Sequence, residues 1–458
     1  MLGVIAVLEM YFLISLGVDH MEHVVIAAVL MMFASYGAAV YIFVRGVASY
    51  ASELKAKSAY LIFMTPNSGL KIMGSKYLYT FVNGILLGGG YATGREIVEY
   101  GAKYGALGWL SGLGTFLGFA VIAALTYELI RLTKAYDFKT FMKTIGGPLW
   151  IVFDIVYLLF MVVIIAVMAS ATGNIVEQTL GLNYWVGVVA ITVVVAILNF
   201  YGSRLIERFE TLGTVALYAG YIIFSVLVIG TFGKNISTVF ANHDTSFIGG
   251  SVSAGKALWS GVLYCAYNLV VMPATFFTIE RQTRRVESVV SGIIGGVLAT
   301  IPWFLTYFAV MCFYPNPDVL GASVPWLAMM QGTAGPVVIA IFGIVMGWTL
   351  IETSTGIIHA ALERVNNGLK EAHKPPMTGK QQAILTIIVL VGSMVLSKVG
   401  IIDLIATVYN ALSYAFLAIY VLPLITVGVY KICKLRKAEK EEQKKHAVSA
   451  TQKPSGYE

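Results

Sequence analysis

The chain has 458 residues, of which 58% are hydrophobic and only 12% charged, with a net charge of +7 and a mean hydropathy of +0.80. A soluble domain carries about 25% charged residues, so this composition excludes a soluble globular protein. It points to repeated segments able to cross ~30 Å of hydrocarbon. In lipid every backbone polar group must be satisfied within the chain, which leaves helices or a closed barrel. The apolar runs are longer than ~17 residues and do not alternate, which excludes the barrel. The expectation is an all-α polytopic membrane protein.

In chain order the apolar runs define twelve predicted spans: 2–18, 24–44, 72–101, 105–131, 148–172, 184–200, 211–232, 255–280, 288–313, 336–362, 381–397 and 404–430. The first run has no basic leader and no small-residue cleavage site, so it reads as a span and not as a cleaved signal. From Lys431 to Glu458 the chain is rich in Lys and Glu and is expected to be a mobile tail. Three units follow: 1–71 with two N-terminal helices and a loop, 72–430 as a ten-helix core, and 431–458 as the tail.

The basic residues orient these spans. With the segment 45–76 placed inside and strict alternation thereafter, 26 of the 31 Lys and Arg fall on the inner side. Only Arg95, Lys103, Lys234, Lys256 and Lys398 fall outside. The positive-inside rule then puts both termini in the cytoplasm of a cell inner (plasma) membrane. The positive charge therefore speaks to topology and not to a nucleic-acid partner.

Two spans are irregular. The third carries the stretch "GGGYATGRE", with Gly88, Gly89, Gly90, Tyr91, Ala92, Thr93 and Gly94 followed by Arg95 and Glu96. Four glycines in seven residues let a helix unwind and let backbone approach a ligand closely. Freed amides and carbonyls at that depth are tolerated only where they line a cavity. The eighth span holds Tyr264, Tyr267, Asn268 and Pro273 in one apolar run. Pro273 removes an amide donor and crowds the preceding turn. Counted from the third span, these are the first and sixth of ten, which is the pattern of a 5+5 inverted-repeat transporter with a midplane site. The substrate-binding candidates are thus Gly88 to Gly94 with Tyr264, Tyr267 and Asn268, and Arg95 and Glu96 are gate candidates.

Other glycines have a plainer reading. Gly114–Gly118 and Gly292–Gly296 sit at the spacing of small faces that let helices pack closely. Cys265 reads as a small core residue. Cys265, Cys312 and Cys433 show no metal spacing or disulfide framework, and no metal or cofactor is expected. The sequences HExxH, GxSxG and GxxxxGK[ST] do not occur, which argues against a membrane enzyme or an ATPase within this chain.

The stretch "GGGYATGREIVEYGAKYGALGW", continued by "ALTYELIRLTKAYDFKTFMK", resembles the YkvI-like group of bacterial membrane transporters over roughly residues 83–434. That resemblance implies a LeuT-type fold of ten core helices, with the site on the broken first and sixth of them. It also implies a cation between the first core helix and hydroxyls of the eighth, where "WTLIETSTGIIHAALERV" places Thr353, Ser354 and Thr355. Glu352 lies ~24 Å along its helix from Pro336 at 1.5 Å per residue, hence near mid-bilayer, where a carboxylate is costly and usually functional. It joins the three hydroxyls as a cation or proton site, with coupling to Na+ or H+. His359 lies two turns on, as a candidate relay or interfacial residue, and Asp154 lies two turns into its own span.

Residues 1–82, with "ELKAKSAYLIFMTPNSGLKIMGSKYLY", instead resemble the start of an ABC-2-type permease. The leading expectation is a secondary active transporter of an amino acid or similar solute, working by alternating access. The alternative is an ABC-2-type exporter subunit, or a fusion of such a fragment to a carrier. Only that alternative implies an ATPase partner; otherwise the partners are the bilayer and the solute.

Overall fold

The computed structural model describes residues 93–201, 220, 223–250, 252–282, 284–331 and 333–451. The first two predicted spans, the permease-like loop and Gly88 to Ala92 lie outside the described residues, as does half of the predicted span 211–232. Where described, the chain is helical, with no strand among the described residues.

The helices, in chain order, are α1 Arg95–Tyr100, α2 Gly108–Thr133, α3 Phe138–Gly146, α4 Trp150–Leu180 and α5 Tyr184–Tyr201. Next come α6 Ile223–Phe232 and α7 Lys234–Ala241, which meet at a bend of 67°. They are followed by α8 Ala254–Asn268, α9 Arg285–Met311, α10 Pro317–Leu320, α11 Pro325–Gln331, α12 Pro336–Glu371 and α13 Gly379–Leu396. The last span runs Ile401–Glu439. It alternates α14 Ile401–Asp403, α15 Asn410–Phe416 and α16 Val429–Thr451 with π-wound turns. Six continuous helical stretches among the described residues are long and apolar enough to cross a membrane. The chain is a helical polytopic membrane protein.

Local chemistry sets several helix ends. Asp137 accepts from the Thr140 amide at 2.8 Å to start α3, and Ser253 from the Lys256 amide at 3.2 Å to start α8. Thr378 and Gln381 form a reciprocal capping box at α13. Gly181, at φ 66°, closes α4 in the left-handed conformation that glycine adopts without strain.

Two groups of helices emerge. In the first, α2 packs against α8 and α9 with backbones nearly touching. A Cβ on Gly292 would lie 2.4 Å from the Ala124 amide nitrogen, and one on Gly296 2.9 Å from that of Ala120. Across the other contact a Cβ on Gly261 would lie 1.9 Å from the Ser111 carbonyl oxygen, and one on Gly114 2.3 Å from that of Leu258. The small faces expected at Gly114–Gly118 and Gly292–Gly296 are therefore packing faces. In the second group α4 packs with α5, α12 and α13, and Ser393 of α13 donates to the Val162 carbonyl at 3.0 Å. The outer faces of this group expose Ile155, Leu159, Val189, Ile197, Ile388, Val391 and Val395, apolar surface that suits acyl chains and not water.

One end of the bundle is rich in basic residues and is bound together by ion pairs. Glu128 accepts from Arg131, from Arg436 at 3.0 Å and from the Ser288 hydroxyl at 2.6 Å. Arg131 also reaches Glu439 at 2.8 Å. From Val429 the chain continues as α16 to Thr451, and residues 452–458 of the expected tail lie outside the described residues. Arg436 and Glu439 on the first half of α16 pair with Glu128 and Arg131 of α2. At the same end Arg364 donates to Asp154 and lies 4.2 Å from the Phe138 ring centre and 4.1 Å from that of Tyr157. Asp154 thus belongs to an ion pair joining α4 to α12.

Candidate functional site

The site forms where α1 meets α8, α9 and the segment α10–α11. Gly94 precedes α1 at φ 76°, a left-handed residue at which this helix starts. A Cβ there would meet the Trp326 ring at 2.8 Å and the Thr306 methyl at 3.6 Å. Both the conformation and the close approach require glycine. The Thr93 hydroxyl accepts from the Arg95 amide at 3.2 Å, which serves one of the orphan donors at the start of α1.

Arg95 and Glu96, adjacent in sequence, leave α1 in different directions. The Arg95 guanidinium donates to the Leu320 carbonyl at 2.6 Å and the Ala322 carbonyl at 3.2 Å, and to Glu99 at 3.2 Å. Lys103 pairs with the other oxygen of Glu99. Arg95 therefore ties α1 to the α10–α11 segment, whose Trp326 covers Gly94. Glu96 turns inward, is buried, and accepts a hydrogen bond from the Tyr267 hydroxyl of α8.

Around Tyr267 the interior is aromatic. Its ring centre lies 5.5 Å from Tyr100, 5.3 Å from Tyr264, 4.9 Å from Tyr409 and 6.0 Å from Phe160. These are contact distances for edge-to-face and tilted ring pairs. They gather α1, α8, α4 and the last span around one carboxyl.

The expected interruption of the eighth span takes the form of a change of winding. α8 ends at Asn268, and the chain continues from Leu269 to Arg281 as a 3₁₀ helix containing Pro273. Pro273 cannot donate to the ladder, and a 3₁₀ run of this length is uncommon and often marks a hinge. Asn268 donates to the Tyr264 carbonyl at 2.9 Å, within its own helix. Cys265 is a buried core residue.

The candidate cation site on α12 is arranged differently from Glu96. The Ser354 hydroxyl donates to the Leu350 carbonyl at 2.8 Å, and the Thr355 hydroxyl to the Ile351 carbonyl at 2.7 Å, both one turn back. Ser354 faces the interior of the second helix group, beside Ala169, Ile191 and Ser393. Glu352 and Thr353 are half-buried, and His359 is exposed beside Glu363 at 3.5 Å. Gly88, Gly89, Gly90, Tyr91 and Ala92 lie outside the described residues, so the expected cation position between them and α12 is not described. Four contacts had no signal in the sequence: Tyr100 and Tyr409 beside Tyr267, and the carbonyls of Leu320 and Ala322 on Arg95. Only the presence of Glu96 in an apolar span hinted that a buried partner existed.

No protein-family model matches the chain. In sequence it is similar to "Uncharacterized membrane protein YkvI" of Bacillus subtilis (strain 168), 23% identical over 357 residues, covering 75% of this chain and 93% of that protein. The resemblance to the YkvI group is thus met over most of the chain. In structure it is similar to a mutant form of the Eremococcus coleocola manganese transporter, at 12% identity and a TM-score of 0.48, covering 79% of this chain and 80% of that one. The same transporter with a bound aromatic bis-isothiourea compound has 13% identity and a TM-score of 0.37, over 74% of this chain and 78% of that one.

Proposed function

We propose that this protein is a secondary active transporter of a small organic solute, an amino acid or a similar amphiphile, driven by a Na+ or H+ gradient. The observation that carries this reading is the buried contact between Glu96 of α1 and Tyr267 of α8. It joins α1, which starts at left-handed Gly94, to the span rewound after Asn268. Irregular backbone deep in a bilayer is costly unless it serves a cavity or a moving part. Their contact favours alternating access, in which α1 and α8 rock against the group built on α4, α5, α12 and α13.

In this reading Gly88 to Gly94 and Tyr264 to Asn268 bound the solute path. Arg95 holds the α10–α11 segment over it as a gate. Glu352, with Thr353, Ser354 and Thr355, remains a candidate for the coupling ion on α12. The basic end faces the cytoplasm, in keeping with the distribution of Lys and Arg. The test is uptake by the purified full-length protein in proteoliposomes, using a panel of labelled amino acids and amines, with an imposed Na+ or pH gradient. Accumulation of one or more solutes above gradient-free vesicles is expected; none under either gradient rejects the carrier.

A further inference from the structure

The surroundings of Glu96 are unusual for a carboxylate. On its own helix Arg95 is committed to Glu99 and to the Leu320 and Ala322 carbonyls, and Lys103 pairs with Glu99. From α8 come Tyr264 and Tyr267, and from the last span Tyr409; Tyr100 stands one turn along α1. From α9 the nearby titratable group is Tyr307, whose hydroxyl donates to the Gly105 carbonyl at 2.7 Å. Among the described residues Glu96 forms no ion pair, and the Tyr267 hydroxyl is its hydrogen-bond donor.

We propose that Glu96 takes up and releases one proton in each transport cycle, so that the coupling ion is H+ and its binding group lies on α1. This rests on the carrier reading above and deepens it. An ionised carboxylate is an acceptor only, and in a buried place it needs a cation or several donors. Among the described residues Glu96 has one hydroxyl donor, set among four phenol rings. A protonated carboxyl brings its own donor and keeps an acceptor oxygen, so a single hydroxyl partner suits it. The rings touch one another, leaving Glu96 5% exposed, so a proton fits the closed arrangement where an organic solute does not. Glu96 also lies two residues past the left-handed Gly94. Rotation of α1 there separates the carboxyl from Tyr267 and turns it to water, where hydronium gives up a proton to the carboxylate or water takes one from the carboxyl. No other group is consumed.

Two measurements test this. The first needs no transported solute: infrared spectra of the purified full-length protein in detergent, wild type minus Glu96→Gln, in H2O and D2O. The carbonyl stretch of a protonated carboxyl is expected at neutral pH in the wild type and is lost in the variant. If no such difference appears at any pH, the proposal is overturned. Where Glu96→Gln does not fold, Tyr267→Phe takes its place. The band must then persist at a shifted frequency, and an unshifted or absent band overturns the proposal.

The second is proteoliposome uptake. A gradient of one pH unit supports up to about tenfold accumulation at one proton per solute, and Glu96→Gln must abolish that accumulation. Accumulation driven by Na+ alone, with none from a pH gradient, overturns H+ coupling and leaves the carrier standing. A Glu96 band without uptake under any gradient supports the proton site and rejects the carrier reading.

Discussion

The Arg95 guanidinium donates to the Leu320 carbonyl at 2.6 Å, across 225 positions of sequence. This contact, repeated on Ala322, holds α1 against the short helices that cover Gly94. A charged donor to a carbonyl contributes about 1.5–3 kcal/mol, enough to keep such a cover mostly closed.

Arg95→Ala is therefore expected to open the α10–α11 segment. With Cys433, the exposed native cysteine, replaced by serine, Ala322→Cys reports on access. Thiol labelling of that cysteine should be several-fold faster with Arg95→Ala than with Arg95. Equal labelling rates would show that the guanidinium is not the tie.

The glycine contacts between α2 and α9 make a stability prediction. Gly292→Ala places a methyl against the Ala124 backbone, which cannot retreat without moving a helix, and overpacking of this kind costs about 1–3 kcal/mol. Thermal unfolding in detergent, followed by loss of the monodisperse peak, should start at lower temperature. Gly392→Ala, where a Cβ meets nothing within 4 Å, should leave the midpoint unchanged.

At the basic end, Glu128 and Glu439 share Arg131 but differ in exposure. The Glu128 side chain is 2% exposed and that of Glu439 36%. Removing the buried charge leaves Arg131 and Arg436 short of a partner, a loss of about 3 kcal/mol. The exposed pair is worth at most about 1 kcal/mol. Glu128→Gln should thus lower the unfolding midpoint clearly more than Glu439→Gln; equal shifts would refute this ranking.

Arg364 binds by shape as well as charge. Its guanidinium pairs with Asp154 while lying near the Phe138 and Tyr157 rings. Lysine keeps the charge but lacks the planar fork. Arg364→Lys is expected to destabilise as much as Asp154→Asn, read by the same unfolding assay. Full retention of stability in Arg364→Lys would mean that charge alone is used.

Composition and run length by themselves determined that this chain is a bundle of membrane helices, because lipid accepts little else from a backbone with 58% hydrophobic residues. The small faces at Gly114 and Gly292 were legible for the same local reason, since close approach of two helices needs the absence of side chains. The change of winding after Asn268 was legible as well, from Pro273. What the sequence left open was direction. Arg95 and Glu96 stand side by side, yet only the packed bundle sends one to Leu320 and the other to Tyr267, because successive residues on a helix project about 100° apart. The hydroxyl protons of Ser354 and Thr355 likewise had several acceptors within reach, and both go to the carbonyl one turn back, which leaves their oxygen lone pairs free to accept. Such choices depend on what lies opposite each face, and that is decided only when helices hundreds of residues apart come into contact.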